Sequence, residues 1–448
     1  MLLLLLLLSV VLSGHAGSQR APRVYVYDVP EFWDVEWGTP EELRELGETR
    51  KAEKEIYGSD CVDDERKTEM FAASMIVVWR ALRSYYEPDP SRADLFLVPL
   101  WPRQKNYAEW KDACSLEVNL DVELKLPHLD ERTAHRHMIV VGKGHSVPQG
   151  YCDAWWRDPR GLLRSAMRFA YSSDYHGYGP SRFDDDGAVP TTHLTSDNGA
   201  FPHLVSIPYA ASIHARSAYG AKFYRFHREA HLGSRHYLAS FFGNSHATFN
   251  TTGGKYAKSR LKLMKECDAT DDCLRVSVDK NLRCGDLGTA YANATFCFQP
   301  GGDSPYRKGL YDSLLVGCIP VIFSLYNARV SPWHFWADHR RDMVVVNETA
   351  YLSGGFDIFD YLRAIPSPRI RAMQASIAVN AHRLQYALED YPDDAVDILL
   401  KGAWHFALAR DAGVQAKLES RARLGKHPAV KKRYHWGRRP KPQGSSAS

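Results

Sequence analysis

The sequence predicts an α/β protein of two successive lobes, each built on a parallel sheet covered by helices. Short, unbroken apolar runs alternate with segments of helical period, and strands of that kind belong to sheets buried on both faces. The alternation occurs twice, with a join near residues 210–235. A glycine loop between a strand and a helix in the second set adds a place for a ligand.

In the first set, Arg23-Val-Tyr-Val-Tyr-Asp28 alternates, ends at Pro30 and reads as the opening strand. Residues 65–86 place Met70, Phe71, Ser74, Met75, Val78, Trp79 and Leu82 on one side at helical spacing, closed by Pro88 and Pro90. Leu95–Pro99, Met138–Gly142 and Leu204–Ile207 follow as buried strands. The second set opens with a strand at Tyr237–Gly243 and a helix around Arg260–Lys265. A strand at Phe296–Gln299, a helix near Arg307–Val316 and strands at Ile319–Phe323 and Met343–Val346 come next, and a long helix from about Arg369 to Leu388 closes the set. The boundaries expected are 1–16 for a leader, 17–230 and 231–390 for the lobes, 391–420 for a closing helical segment and 421–448 for a basic disordered tail.

Composition excludes several classes. Of 448 residues, 44% are hydrophobic and 25% charged, so a wholly disordered or collagenous chain is ruled out. The net charge of +4 is concentrated in residues 421–448, which leaves the body mildly acidic and argues against a nucleic-acid partner. Met1–Leu12 is apolar save for Ser9 and is followed by small residues. It is too short for a spanning helix, which needs about 20 residues, and fits a signal-peptide core or a short anchor. Eight cysteines, Cys61, Cys114, Cys152, Cys267, Cys273, Cys284, Cys297 and Cys318, suit disulfides in an oxidising lumen. Cys267, Cys273 and Cys284 stand near enough for local bridges, with the pairing open. The triplets beginning at Asn250, Asn293 and Asn347 are glycosylation acceptors in form.

The chemistry concentrates in Phe296–Phe323, which reads strand, glycine loop, helix, strand. Pro300-Gly301-Gly302 permits a tight turn at the carboxyl end of a strand, and Asp303 or Ser304 can cap the next helix. Free amides and the helix dipole favour an anion there, with Arg307 and Lys308 one turn inside the helix and Asp312 placed to accept from a ribose. The bland alternative is a plain turn with Arg307 and Lys308 on a solvated face.

This stretch, with Pro332-Trp333 and Val344-Val345-Val346-Asn347-Glu348, resembles the exostosin-like glycosyltransferases of family 47, and is most similar to the plant xyloglucan-galactosyltransferase branch. Val24–Asp28, Ala93–Pro99, Arg136–Val141, Ile207-Pro208-Tyr209 and Arg235–Gly243 continue the likeness in order over about Val24 to Tyr391. The resemblance implies a GT-B fold of two Rossmann-like lobes facing a central cleft, an inverting mechanism and a nucleotide-sugar donor in the C-terminal lobe. By motif position it implies donor contacts from Gly302, Asp303, Ser304, Arg307, Lys308, Asp312 and Glu348. Lys308 replaces an arginine of the family pattern and loses its bidentate fork. Gly309 stands inside a helix, where it costs roughly 0.5–1 kcal/mol of propensity.

Inverting transfer needs a base for the acceptor hydroxyl and positive charge or helix amides on the leaving diphosphate. His137, which opens a central strand and matches the family's histidine, is the expected catalytic base, with Asp28 and Asp94 behind it and a hydrogen-bonded structural role as its alternative. Asp184-Asp185-Asp186 lacks a preceding apolar strand and reads as a solvated loop, and His135-x-His137 lacks further ligands at metal spacing. Trp155-Trp156 and Trp333/Trp336 read as core rather than sugar platforms. The expectation is a metal-independent glycosyltransferase of the Golgi or endoplasmic reticulum lumen, membrane-associated if the leader is retained, or else secreted. Its partners are a nucleotide-sugar (UDP by resemblance), a glycan or polysaccharide acceptor, and a homo- or hetero-oligomer of glycosyltransferases. A catalytically silent glycan-binding or partner subunit is the alternative, and retained Arg307, Lys308 and Asp312 argue against it.

Overall fold

The structure, a computed structural model, describes residues 20–29, 72–99, 123, 125–142, 161–171, 203–211, 235–243, 257–277, 286–301, 307–328, 331, 333–388 and 390–423. The leader, Cys61, Cys114, Cys152, Cys284, Trp155-Trp156, Asp184–Asp186, Asn250 and residues 424–448 lie outside them.

The N-terminal lobe contains β1 (Val24–Val26), α1 (Ala72–Arg80), β2 (Leu95–Leu97), β3 (His137–Gly142), β4 (Met167–Ala170) and β5 (Leu204–Ser206). The five strands form one parallel sheet in the order β1-β2-β3-β4-β5. Both faces are covered, which is why the strands are continuously apolar. Leu95, Leu97, Met138 and Val140 face α1 and the C-terminal helix, while Phe96, Val98 and Ile139 face Leu126, Leu129 and Leu163. Each such aliphatic or aromatic side chain taken from water contributes about 1.5–3 kcal/mol. Ala73–Arg80 of α1 is buried on every side, where the sequence pattern suggested a single apolar face.

The C-terminal lobe follows with β6 (Tyr237–Phe242), α2 (Ala257–Asp268), β7 (Cys273–Val276), α3 (Asp286–Ala292), β8 (Ala294–Gln299), α4 (Lys308–Leu315), β9 (Ile319–Ile322) and β10 (Val344–Val345). Then come α5 (Glu348–Leu352), α6 (Ile358–Arg363), α7 (Ser367–Asn380) and α8 (Ala395–Arg423). Its sheet is also parallel, ordered β10-β9-β8-β6-β7, with β8 at the centre. Disulfides Cys267–Cys273 and Cys297–Cys318 tie α2 to β7 and β8 to the start of β9. Gly317, with φ 71°, ends α4 and turns the chain straight into β9. At the amino end of the sheet, Arg235 donates to the carbonyls of Tyr291, Ala294 and Val316 and clamps α3, β8 and the end of α4 together.

The long helix expected to Leu388 stops at Asn380 and continues as a tight turn over Ala381–Leu384. The chain then crosses back. Val396, Leu399, Leu400, Ala403 and Ala407 of α8 complete the core of the N-terminal lobe, and α8 runs past the expected boundary at residue 420 to Arg423. Buried Arg80 donates to Asp394 at 2.8 Å and to the carbonyl of Ala387 at 3.0 Å, locking this returning segment. Trp333 reaches from the C-terminal lobe to Phe169 and Phe406, and a Cβ at Gly402 would lie 2.5 Å from its ring, so α8 needs glycine there. Ser331 N–H donates to Ser206 Oγ and Tyr386 OH to the Pro208 carbonyl, which joins the carboxyl end of β5 to the C-terminal lobe. Among the described residues no helix is long and apolar enough to cross a membrane.

Candidate donor and acceptor sites

The carboxyl end of β8 is the centre of the candidate donor site. Gln299 ends the strand, and α4 begins at Lys308, with Arg307 extended at the N-cap position (φ −140°, ψ 152°). The helix therefore starts later than expected: Arg307 stands at its mouth rather than one turn inside, and the cap is not Asp303 or Ser304. Pro305 disfavours helical backbone in the residue before it, which fits a start beyond the proline. Gly302, Asp303 and Ser304 themselves lie outside the described residues.

Within α4, Lys308 Nζ and Asp312 Oδ2 form an i,i+4 ion pair at 3.1 Å, the lysine 25% and the carboxylate 2% exposed. Lys308 was expected on the diphosphate and Asp312 on a ribose; in the structure each engages the other. The order, cation before acid, opposes the helix dipole, so their pairing rests on burial of the acid rather than on helix electrostatics.

The floor beneath this turn comes from residues without a motif signature. Tyr291 on α3 and Gln299 are both buried, and Gln299 Nε2 donates to the Tyr291 hydroxyl at 3.4 Å. A Cβ at Gly309 would stand 2.6 Å from Gln299 Oε1 and 2.8 Å from the Tyr291 hydroxyl oxygen. The glycine that costs helix propensity is what lets α4 seat on this pair. Burial pushes the Tyr291 phenol well above its ordinary range and Asp312 adds to the rise, while Gln299, Arg307 and Arg260 pull it back.

Glu348 is the first residue of α5, whose N-cap Asn347 accepts from Ala350 N–H at 3.0 Å. Its carboxylate accepts from the buried hydroxyl of Ser259 in the first turn of α2. Ser259 carries no motif signature in the sequence, and its pairing with Glu348, 89 residues away, appears only in the fold. Arg307, Lys308 and Asp312 thus gather at the end of β8, and Glu348 is held against the helix that follows β6.

On the acceptor side, His137, the expected base, is engaged through both ring nitrogens. Its ring is wholly buried, Nδ1 donates to the Thr133 carbonyl at 2.9 Å, and Nε2 accepts from the Tyr27 hydroxyl at 2.7 Å. Phe96 stacks on it at 4.8 Å with planes 9° apart. Burial depresses the imidazole to about 4, outweighing the Thr133 carbonyl, which favours its protonation. Both nitrogens are committed inside a hydrophobic layer, the arrangement that the structural alternative expects. Asp94, just before β2, takes hydrogen bonds from Arg20 at 2.6 Å and from Arg23 N–H at 2.8 Å. Burial pushes its carboxyl up, but the Arg20 and Arg23 contacts outweigh that and hold it well below the usual range. Asp28 alone of the three is exposed beyond the carboxyl end of its strand. His135 pairs with Asp411 of α8 at 2.5 Å, and among the described residues no group of three or more His, Cys, Asp or Glu could hold a metal ion.

Trp336 is core and donates to Asp342 at 2.7 Å. Asn293 is half-buried between α3 and β8, whereas Asn347 is exposed.

Known proteins give the geometry its context. The Exostosin GT47 domain matches residues 18–352. A probable xyloglucan galactosyltransferase, GT12, of Arabidopsis thaliana is 28% identical over 222 residues, covering 47% of this chain and 42% of that protein. The probable arabinosyltransferase ARAD1 of the same plant is 24% identical over 333 residues, 71% of this chain and 62% of its own length. The chain thus spans less than half of GT12. Among solved structures, the spinosyn rhamnosyltransferase SpnG overlaps 85% of this chain and 99% of its own at 10% identity, with a TM-score of 0.33. That overlap adds nothing to what the family match carries. With its two parallel-sheet lobes and a domain match over most of its length, the chain belongs to the exostosin GT47 family.

Proposed function

We propose that this chain is an inverting glycosyltransferase of the secretory pathway, moving a sugar from a UDP-sugar to a glycan or polysaccharide hydroxyl. The observation that carries the reading is the placement of Arg307 and Lys308 at the start of α4, at the carboxyl end of the central strand β8. Helix amides and cations there suit a diphosphate leaving group, whose negative charge grows as its bond to the anomeric carbon breaks. The family's relatives bear names of galactosyl-, galacturonosyl- and arabinosyltransferases, which supports sugar transfer to a glycan with the donor sugar left to the screen below.

In this reading the acceptor hydroxyl attacks the anomeric carbon from the side opposite the diphosphate and gives its proton to a carboxylate of the N-terminal lobe. Asp28 is the candidate, because it is exposed past the end of β1 while His137 and Asp94 are committed elsewhere. No metal is required for neutralising the diphosphate. Lumenal residence agrees with the two disulfides among the described residues and with an exposed acceptor at Asn347.

A donor screen tests the proposal. Purified chain is incubated with UDP- and GDP-sugars and a polysaccharide acceptor, nucleotide release is followed, and product anomers are assigned by NMR. Release from a UDP-sugar, inverted product and full activity in EDTA are expected. Retained configuration, preference for GDP-sugars or Mn²⁺-reversible loss on chelation would each overturn the corresponding part.

A further inference from the structure

We propose that Arg260 is a second diphosphate-binding residue of the donor site, supplied by α2 after β6 and not by the glycine-loop motif. The proposal rests on the donor site proposed above. Strands β6 and β8 are neighbours, with Phe241 opposite Phe298 in register, so their carboxyl ends lie about 5 Å apart. Arg260 lies in the first turn of α2, as Arg307 lies at the start of α4, so two helix starts flank one pair of strand ends.

The side chain is held there by construction. Arg260 is 3% exposed, and its guanidinium carbon sits 5.5 Å from the centre of the Phe241 ring. A Cβ on Gly243, the residue just past β6, would come within 2.5 Å of Nη2 and 3.4 Å of the guanidinium carbon. Glycine at 243 is what lets the planar cation lie across the strand end. The positive charge of Arg260, like that of Arg307, acts to lower the Tyr291 phenol against the rise caused by burial. Ser259, the residue before Arg260, holds Glu348, so the turn is fixed from its other side as well. An arginine stays charged under any physiological condition, and its fork suits two oxygens of a phosphate. A diphosphate lying over the ends of β6 and β8 would meet Arg260 on one side and Arg307 on the other.

Calorimetric titration of UDP and of uridine into the full chain tests this, with wild type, Arg307→Ala, Arg260→Met, Arg260→Lys and Gly243→Ala compared. Arg260→Met should weaken UDP about ten- to a hundredfold and leave uridine within about twofold, the loss expected of a charge-assisted phosphate contact. Arg260→Lys, which keeps charge without the fork, should fall between. A merely structural arginine would shift UDP and uridine alike, and that result, or unchanged UDP affinity in folded Arg260→Met, overturns the inference. If UDP affinity still drops in Arg307→Ala, the donor-site reading survives that failure. Absence of UDP binding to wild type overturns both. Should Arg260→Met not fold, Gly243→Ala decides in its place, since it displaces the guanidinium without removing it: selective weakening of UDP supports the role, and unchanged affinity ends it.

Discussion

His137 in the N-terminal lobe and the Arg307–Asp312 turn in the C-terminal lobe are alike in sequence, each a polar group beside a central apolar strand. Tertiary packing separates them. His137 points into a layer between the sheet and residues 126–134, where a phenol and a carbonyl use both ring nitrogens. The Arg307–Asp312 group sits on the start of α4, beyond the end of β8, where backbone amides are unsatisfied by the helix itself. The difference teaches that burial of a titratable group marks a site only when the group also stands at the carboxyl end of the sheet. A histidine held neutral can be as much a part of the core as the phenylalanine stacked on it.

The largest expected effect breaks the first half of that comparison. His137→Ala removes a packed ring and strands the Tyr27 hydroxyl, so it should cost about 2–4 kcal/mol in denaturant unfolding. Transfer by the protein that remains folded should stay within about threefold. A hundredfold slower turnover at unchanged stability would restore the base role. Arg307→Ala probes the other half: the fold should hold, and UDP should bind about ten- to a hundredfold more weakly in calorimetry, for a contact worth roughly 1.5–3 kcal/mol. Equal affinity in a folded variant would move the donor elsewhere.

Titration sharpens the contrast. The folded His137 ring takes its proton near pH 4, whereas an unfolded imidazole does so near its ordinary 6.5. In between, the unfolded chain holds the extra proton, so the contribution of His137 is present above 6.5 and is lost as pH falls toward 4. Buried His334, depressed to about 3 by burial, acts in the same direction. Asp394 works against them, because burial raises it to about 6 despite Arg80, and its contribution fades as pH rises through that value. Subtracting the pH–stability profile of His137→Gln from that of wild type should leave a slope of about 1.4 kcal/mol per pH unit within that window. A flat difference would mean that the ring is not held neutral.

The smallest effect sets two physical terms against each other. Helix propensity alone says that Gly309→Ala should stabilise by roughly 0.5–1 kcal/mol. Overpacking against Gln299 and the rigid Tyr291 hydroxyl costs about 1–3 kcal/mol, so net destabilisation near 1 kcal/mol is expected in thermal unfolding. Stabilisation would show that the Gln299 amide yields freely.

Much of this protein is legible in its residues alone. Leu95–Val98, Met138–Gly142 and Ile319–Phe323 are strands because unbroken apolar runs bounded by turn residues have few other places to go. The Pro300-Gly301-Gly302 loop, with Arg307 and Lys308 behind it, marks the expected anion site because glycine turns and cations carry their chemistry locally. Tertiary structure decided what depends on partners distant in the chain. Whether His137 is a base or a core residue turns on Tyr27, 110 residues away. The role of Gly309 turns on Tyr291 from another helix, and that of Gly243 on Arg260. The ownership of α8 by the N-terminal lobe turns on contacts such as Arg80 with Asp394, 314 residues apart. Local propensity and periodicity act over a few residues, whereas burial, close approach and the pairing of charges exist only after the chain has folded back on itself.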